Sequence, residues 1–152
     1  MAEPQVPASP ADRPARCVHA EVTTEVLDPA ALAALVDDPR CGAVVTFAGV
    51  VRNHDEGRGV VALAYSAHPT AQGELAAVVA QFADVPGIHA LAVAHRIGDL
   101  AIGDIALAAA VAGEHRAEAF ATMERLITEV KARVPIWKHQ HFSDGTAGWT
   151  GL

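Results

Sequence analysis

Residues 42–52 read G-A-V-V-T-F-A-G-V-V-R, residues 53–59 read N-H-D-E-G-R-G, and residues 60–67 read V-V-A-L-A-Y-S-A. The first block is too rich in valine to prefer a helix and runs out into a polar loop, so it is expected to be a strand. Val60–Ala67 is expected to be a second strand that pairs with the first across that loop. Two apolar strands joined in this way set the pattern for the rest of the chain.

Working outward, Val18–Val26 has the β-branched content of a strand. Asp28-Pro29 supplies an N-cap and a first-turn proline for a short helix expected to end near Arg40. Pro69-Thr70 opens a helix to about Ala83, with Leu75, Val78, Val79 and Phe82 recurring at i, i+3, i+4 and i+7. Pro86-Gly87 stops it. Ile88–Ile97 and Ile105–Ala112 are strands joined across G-D-L-A-I-G-D, whose glycines suit a turn. A long helix is expected from His115 to Arg133, with Phe120, Met123, Ile127, Val130 and Val134 as its apolar stripe and Pro135 ending it. The order β-α-β-β-α-β-β-α-β predicts an α+β fold, a mostly antiparallel sheet with helices packed on it.

At 152 residues the chain is expected to form one domain over residues 17–152. Residues 1–16 hold four prolines and no apolar segment, so a flexible tail without a signal peptide is expected. Every apolar run stops well short of the ~20 residues of a membrane helix. A net charge of -7 argues against nonspecific nucleic-acid binding, which needs a broad basic face. Cys17 and Cys41 lack the spacing of a zinc knuckle or redox pair, and a reduced, cytoplasmic setting is expected.

Only two lysines occur, Lys131 and Lys138, and they bracket K-A-R-V-P-I-W-K. The other nine cationic Lys and Arg residues are Arg, which keeps its proton at ordinary pH; a retained Lys points to a need for an amine. Lys131 closes a helix and Lys138 lies in the next extended segment, so a reversal near Pro135 can bring both amines to one site. Clustered ammoniums and Arg133 make a neutral amine cheaper, so one lysine could serve as a base. Arg52 is delivered to a fixed place by an apolar strand, with an ion pair to Asp55 or Glu56 as the competing reading. His115-Arg116 at a helix start could clamp a phosphate. Strand alternation turns Trp137 away from Lys138, where it is expected to anchor the core. His139-x-His141 shows no third ligand, so no metal is expected. Cys41 is expected to be a small buried thiol, and His95-Arg96 a charged hairpin end.

The ordered segments T-F-A-G-V-V-R-N-H, H-R-I-G-D-L-A-I-G-D, H-R-A-E-A-F and K-A-R-V-P-I-W-K resemble the successive motifs of the catalytic subunit of molybdopterin synthase, across roughly Cys41 to Gln140. The resemblance implies a sulfurtransferase that converts cyclic pyranopterin monophosphate to molybdopterin by adding two sulfurs as a dithiolene, with no metal or organic cofactor. The sulfur would arrive as the C-terminal glycine thiocarboxylate of a small ubiquitin-like partner. A homodimer within a heterotetramer is implied, with the pocket near the dimer interface and groups drawn from both protomers. By position, Lys131 matches the principal catalytic lysine and Lys138 its companion near the thiocarboxylate tail. Arg52 with the backbone of Val50 and Val51 matches a substrate-binding strand end. His115 and Arg116 match the pair that meets the pterin phosphate, and His139 and Gln140 extend the pocket.

Ser66 and His68 stand where the common form of that family has a Glu and an aromatic residue. The chain ends at T-G-L, without the charged extension of some members and without the Gly-Gly of a sulfur carrier. Two other readings compete: a persulfide sulfurtransferase using Cys41, and a noncatalytic α+β module that binds a phosphorylated metabolite in the same cationic pocket.

Overall fold

Two sheets divide the strands of this α+β chain, and the seam between them positions the site. A computed structural model describes residues 15–152, so most of the tail expected over residues 1–16 lies outside the described residues. The elements in order are β1 (Arg16–Thr23), α1 (Pro29–Leu35), β2 (Ala43–Val50), β3 (His54–Asp55), β4 (Arg58–Ala67), α2 (Ala71–Ala80), β5 (Ile88–Arg96), β6 (Gly98–Leu100), β7 (Ile105–Gly113), α3 (Arg116–Arg133), β8 (Ile136–Phe142) and β9 (Ala147–Gly151). One sheet has the order β1-β5-β7-β2; the other has β3-β4-β8-β9 with β6 added to β4. All pairings are antiparallel except β1 with β5.

β5 and β7 are the central strands of the first sheet, and alternation gives them two unlike apolar faces. Leu91, Val93, Leu107, Ala109 and Val111 pack with Leu75, Val78, Phe82, Met123, Leu126 and Val130 of the α2–α3 layer. The opposite face is Ala90, Ala92, Ala94, Ala108, Ala110 and Ala112, small enough for Leu32 of α1 and Val36 just after it to sit directly on it. The expected α2 stripe is buried throughout, with Leu75 and Val78 at 0% exposure. Each such buried side chain stabilises the fold by about 1.5–3 kcal/mol relative to exposure.

Several expectations are corrected. β2 does not pair with β4; it gives its ladder to β7, from Ala43 opposite Gly113 to Val50 opposite Ile105. Glu56 (φ 49°) and Gly57 (φ 77°) instead close a two-residue turn that pairs His54–Asp55 with Arg58–Gly59. Two positive-φ residues in succession match the right-handed twist of a hairpin, and they steer β4 into the second sheet. α1 ends at Leu35 and not near Arg40, because Pro39 opposes helix at the residue before it and Asp38 turns back to accept from Arg40 N at 3.0 Å. The Asp28 cap is as expected, accepting from Ala30 N at 3.0 Å.

The stripe of α3 is rotated from the expected one: Ala119, Thr122, Met123, Leu126 and Val130 are buried, while Phe120 is 63% exposed. The helix lies so close to β7 that a Cβ built on Gly113 would stand 3.2 Å from Ala119 Cβ, leaving no room there for a phenyl ring. Trp137 is 43% exposed and is no core anchor. β3, β6 and β9 are strands beyond the expected set. None of the described helices is long and apolar enough to cross a membrane.

Candidate active site

The end of β2, the β3–β4 hairpin, the last turn of α3 and β8 converge on a cavity of about 380 Å³. Lys131 and Lys138 both line it, together with Val50, Val51, Arg52 and Gln140. The reversal at Pro135 therefore does bring the two amines to one site. Val134 N bonds Val130 O at 3.0 Å as the last helical link, and β8 begins two residues later.

Arg52 is presented by a pinned backbone. Val51 N donates to Asp104 O at 2.9 Å, and Gly103 N donates to Val51 O at 2.9 Å. The amide of Val51 is thus already engaged, and its contribution to the cavity is as a wall. Asp55 is a site residue that the sequence reading treated only as a partner for Arg52. Its carboxylate lies 3.4 Å from Arg52 Nη2 and 3.8 Å from Lys138 Nζ, so one anion holds two of the cations. The Arg52 side chain is 64% exposed, and such a pair is worth well under about 1 kcal/mol, weak enough for an entering anion to displace it. Lys131 makes no ion pair with a described residue.

The buried wall of the cavity is neutral. Tyr65, His95 and Gln140 contribute to it, and His95 is 2% exposed rather than a charged hairpin end. Its Nδ1 stands 2.8 Å from Arg96 O, and its ring meets Tyr65 edge-on at 5.0 Å and 78°. Burial lowers its pKa to about 4, and the charge of Lys131 acts in the same direction, so at neutral pH the imidazole is uncharged. Burial also pushes the Tyr65 hydroxyl up, which keeps it protonated. The signal for these wall residues was present as strand alternation: Tyr65 and Leu63 pair with Lys138 and Gln140 and share their face.

Three expected site residues do not join this cavity. His139 alternates to the other face of the sheet, where it stacks on Trp149 at 4.4 Å and meets His141 at 4.8 Å. His115 and Arg116 sit at the start of α3, and fifteen residues of helix separate Arg116 from Lys131. At ~1.5 Å per residue that is about 22 Å. Cys41 also lies elsewhere. Burial raises its thiol pKa and Asp38 acts in the same direction, which disfavours the thiolate a persulfide route needs.

Two amines and an arginine gathered on one cavity with a neutral buried wall are the equipment of a protein that can take up an anionic group and exchange protons with it. Comparisons with known proteins narrow that class. The family model described as MoaE protein matches residues 22–133, a stretch that includes Lys131 and stops before Lys138. The molybdopterin synthase catalytic subunit of Nostoc sp. is 38% identical over 121 residues, 78% of this chain and 73% of that protein. The solved molybdopterin synthase of Staphylococcus aureus has a TM-score of 0.79 at 33% identity, covering 88% of this chain and 97% of that one. A complex of subunits 1 and 2 of molybdopterin-converting factor from Helicobacter pylori shares the fold, with a TM-score of 0.66 at 22% identity over 86% of this chain and 88% of that one. The chain belongs to the MoaE family, the molybdopterin synthase catalytic subunits.

Proposed function

We propose that this chain is the sulfur-transferring subunit of a molybdopterin synthase, acting on cyclic pyranopterin monophosphate with a thiocarboxylated small protein as sulfur donor. The observation that carries the reading is the meeting of Lys131, Lys138 and Arg52 on one cavity. Arg52 and Lys138, released from Asp55, offer charge-assisted hydrogen bonds to an anionic group. The amine of Lys131, which makes no ion pair with a described residue, moves a proton as sulfur attacks the pterin. The same cations stabilise the negative charge that develops as the thiocarboxylate carbonyl collapses. Gln140 closes the pocket beside Lys138. The small partner and a cytoplasmic location belong to this proposal; the Helicobacter pylori relative, solved as a complex of its two subunits, is in keeping with such a partner.

The position of His115 and Arg116 extends the proposal. They are too far from Lys131 to serve the cavity of their own chain, so we take them as the phosphate clamp of a second copy. Among the described strands β2 is an edge of its sheet paired on one side only, with Val44 exposed on it and Phe120 exposed on α3, and an edge of this kind suits a symmetric partner.

The test is a single-turnover reaction of the purified chain with cyclic pyranopterin monophosphate and thiocarboxylated small subunit, run beside Lys131→Ala. Dithiolene from wild type and none from a folded mutant is the expected result. Pterin binding without product in the wild type would instead support the noncatalytic binding module.

A further inference from the structure

One polar atom on the buried wall has no role in the chemistry above. Arg96 O can only accept a hydrogen bond, so the 2.8 Å contact fixes the hydrogen on Nδ1 of His95 and leaves a lone pair on Nε2. Nε2 makes no hydrogen bond with a described residue, yet it is not sealed among the buried unpartnered atoms. The residue lines the cavity, so that lone pair opens into it. The ring cannot easily turn away. Its other nitrogen is tied to the backbone of β5, and Tyr65 packs against it edge-on. An acceptor that faces a partly enclosed cavity offers a ligand with a matching donor a hydrogen bond at a fixed position.

The remaining charged lining is of the other kind. Arg52, Lys131 and Lys138 are donors, and the carboxylate of Asp55 is already shared between two of them. The cyclic phosphate diester of the substrate carries no O–H to donate, whereas the heterocycle of a reduced pterin carries several N–H groups.

We infer that His95 is a specificity-determining residue whose Nε2 accepts a hydrogen bond from an N–H of the substrate's heterocycle, while the phosphate is held by the proposed His115–Arg116 clamp of a second copy. This rests on the functional reading above. The neutral state of the imidazole supports it, because a protonated ring would present a donor and repel an N–H.

Asparagine and glutamine separate the two nitrogens. In His95→Asn the side-chain amide can still donate to Arg96 O, as Nδ1 does, but nothing replaces Nε2. In His95→Gln the amide oxygen reaches the Nε2 position. Anaerobic calorimetric titrations of wild type and both variants with cyclic pyranopterin monophosphate, and separately with inorganic phosphate, test the assignment. The pterin is expected to bind His95→Asn about 3- to 10-fold more weakly, the loss of one neutral hydrogen bond, and His95→Gln within about 2-fold of wild type. Inorganic phosphate is expected to bind all three alike.

Equal pterin binding by wild type and His95→Asn would overturn the inference, as would parallel losses of pterin and phosphate in both variants. If melting shows that His95→Asn does not fold, His95→Gln decides alone: retained pterin affinity supports the acceptor role and lost affinity overturns it. A wild type that binds pterin but makes no dithiolene defeats the catalytic reading and leaves this one standing. A wild type that binds no pterin defeats both.

Discussion

Replacing Lys131 by arginine separates charge from proton transfer at the site. Lys131 lies in the last turn of α3, where a cation interacts favourably with the helix dipole by about 0.3–1 kcal/mol. It makes no ion pair with a described residue, so no further stabilisation is tied to its charge. Lys131→Arg keeps the positive charge at the helix end and is expected to melt within experimental error of wild type; Lys131→Ala is expected to lose no more than that dipole contribution. Activity should behave differently. A guanidinium holds its proton at all accessible pH, so a step that needs the amine to exchange one loses the ~10²- to 10⁴-fold typical of general acid–base catalysis. That is about 2.7–5.4 kcal/mol of transition-state stabilisation, several times any effect on the fold. Single-turnover dithiolene formation by Lys131→Arg, with melting and pterin titration alongside, reads both sides. Turnover within about 10-fold of wild type would refute the reasoning, because the residue would then be acting through its charge alone.

Four further outcomes are expected. Lys131→Ala and Arg116→Ala, each inactive alone, should regain about a quarter of wild-type activity when mixed and allowed to exchange subunits, because half the dimers are mixed and each has one intact site. No recovery in demonstrably mixed dimers would remove the shared site. Leu126→Ala, at a side chain with 0% exposure in the core, should destabilise the chain by about 2–5 kcal/mol, read as a lower urea midpoint at constant slope. Asp38 is held well below its usual carboxylate range by the side chain of Arg40, at 2.7 Å, against an opposing effect of burial. Its depressed folded pKa means its contribution is present above the ordinary value of 3.8 and is lost as pH falls below it, so melting of the wild type should drop with acid more steeply than that of Asp38→Asn. Cys41→Ala should keep full turnover; its loss would revive the persulfide route.

How far the fold could be read from sequence depended on how local its determinants are. The Asp28 cap, the α2 stripe and the Pro135 stop are each decided within a few residues, and all appear in the structure. The pairing of β2 with β7 was not legible, because it depends on a turn built at Glu56-Gly57. Glu is not one of the residues that usually announce a positive φ. The rotation of the α3 stripe was hidden for a different reason. Phe120 is the larger hydrophobe, but the space over Gly113 admits only Ala119, and that limit comes from a strand distant in sequence. In the cavity, Lys131 and Lys138 were legible because lysine is scarce in this chain, and Arg52 because it ends an apolar strand, whereas Asp55 was read only as a partner for Arg52. Tyr65 and His95 were not legible, since each is set in place by its strand neighbours: Tyr65 by its pairing with Lys138, His95 by the carbonyl of Arg96.

The length of α3 connects this fold to its proposed chemistry. Its first residues carry the His115-Arg116 pair and its last turn carries Lys131, so a rigid rod of about 22 Å holds the two functions apart within one chain. No arginine side chain spans that distance, and Leu126 and Val130, both at 0% exposure, fix the rod against the sheet. If His115 and Arg116 are the proposed phosphate clamp, a second copy, turned so that the start of its helix meets the cavity of the first, is what brings clamp and amine together. Under the proposed function, dimerisation is then a condition for substrate binding itself. The two-fold relation makes both sites form or fail together, and pterin affinity should weaken as the chain is diluted below its dimer dissociation constant.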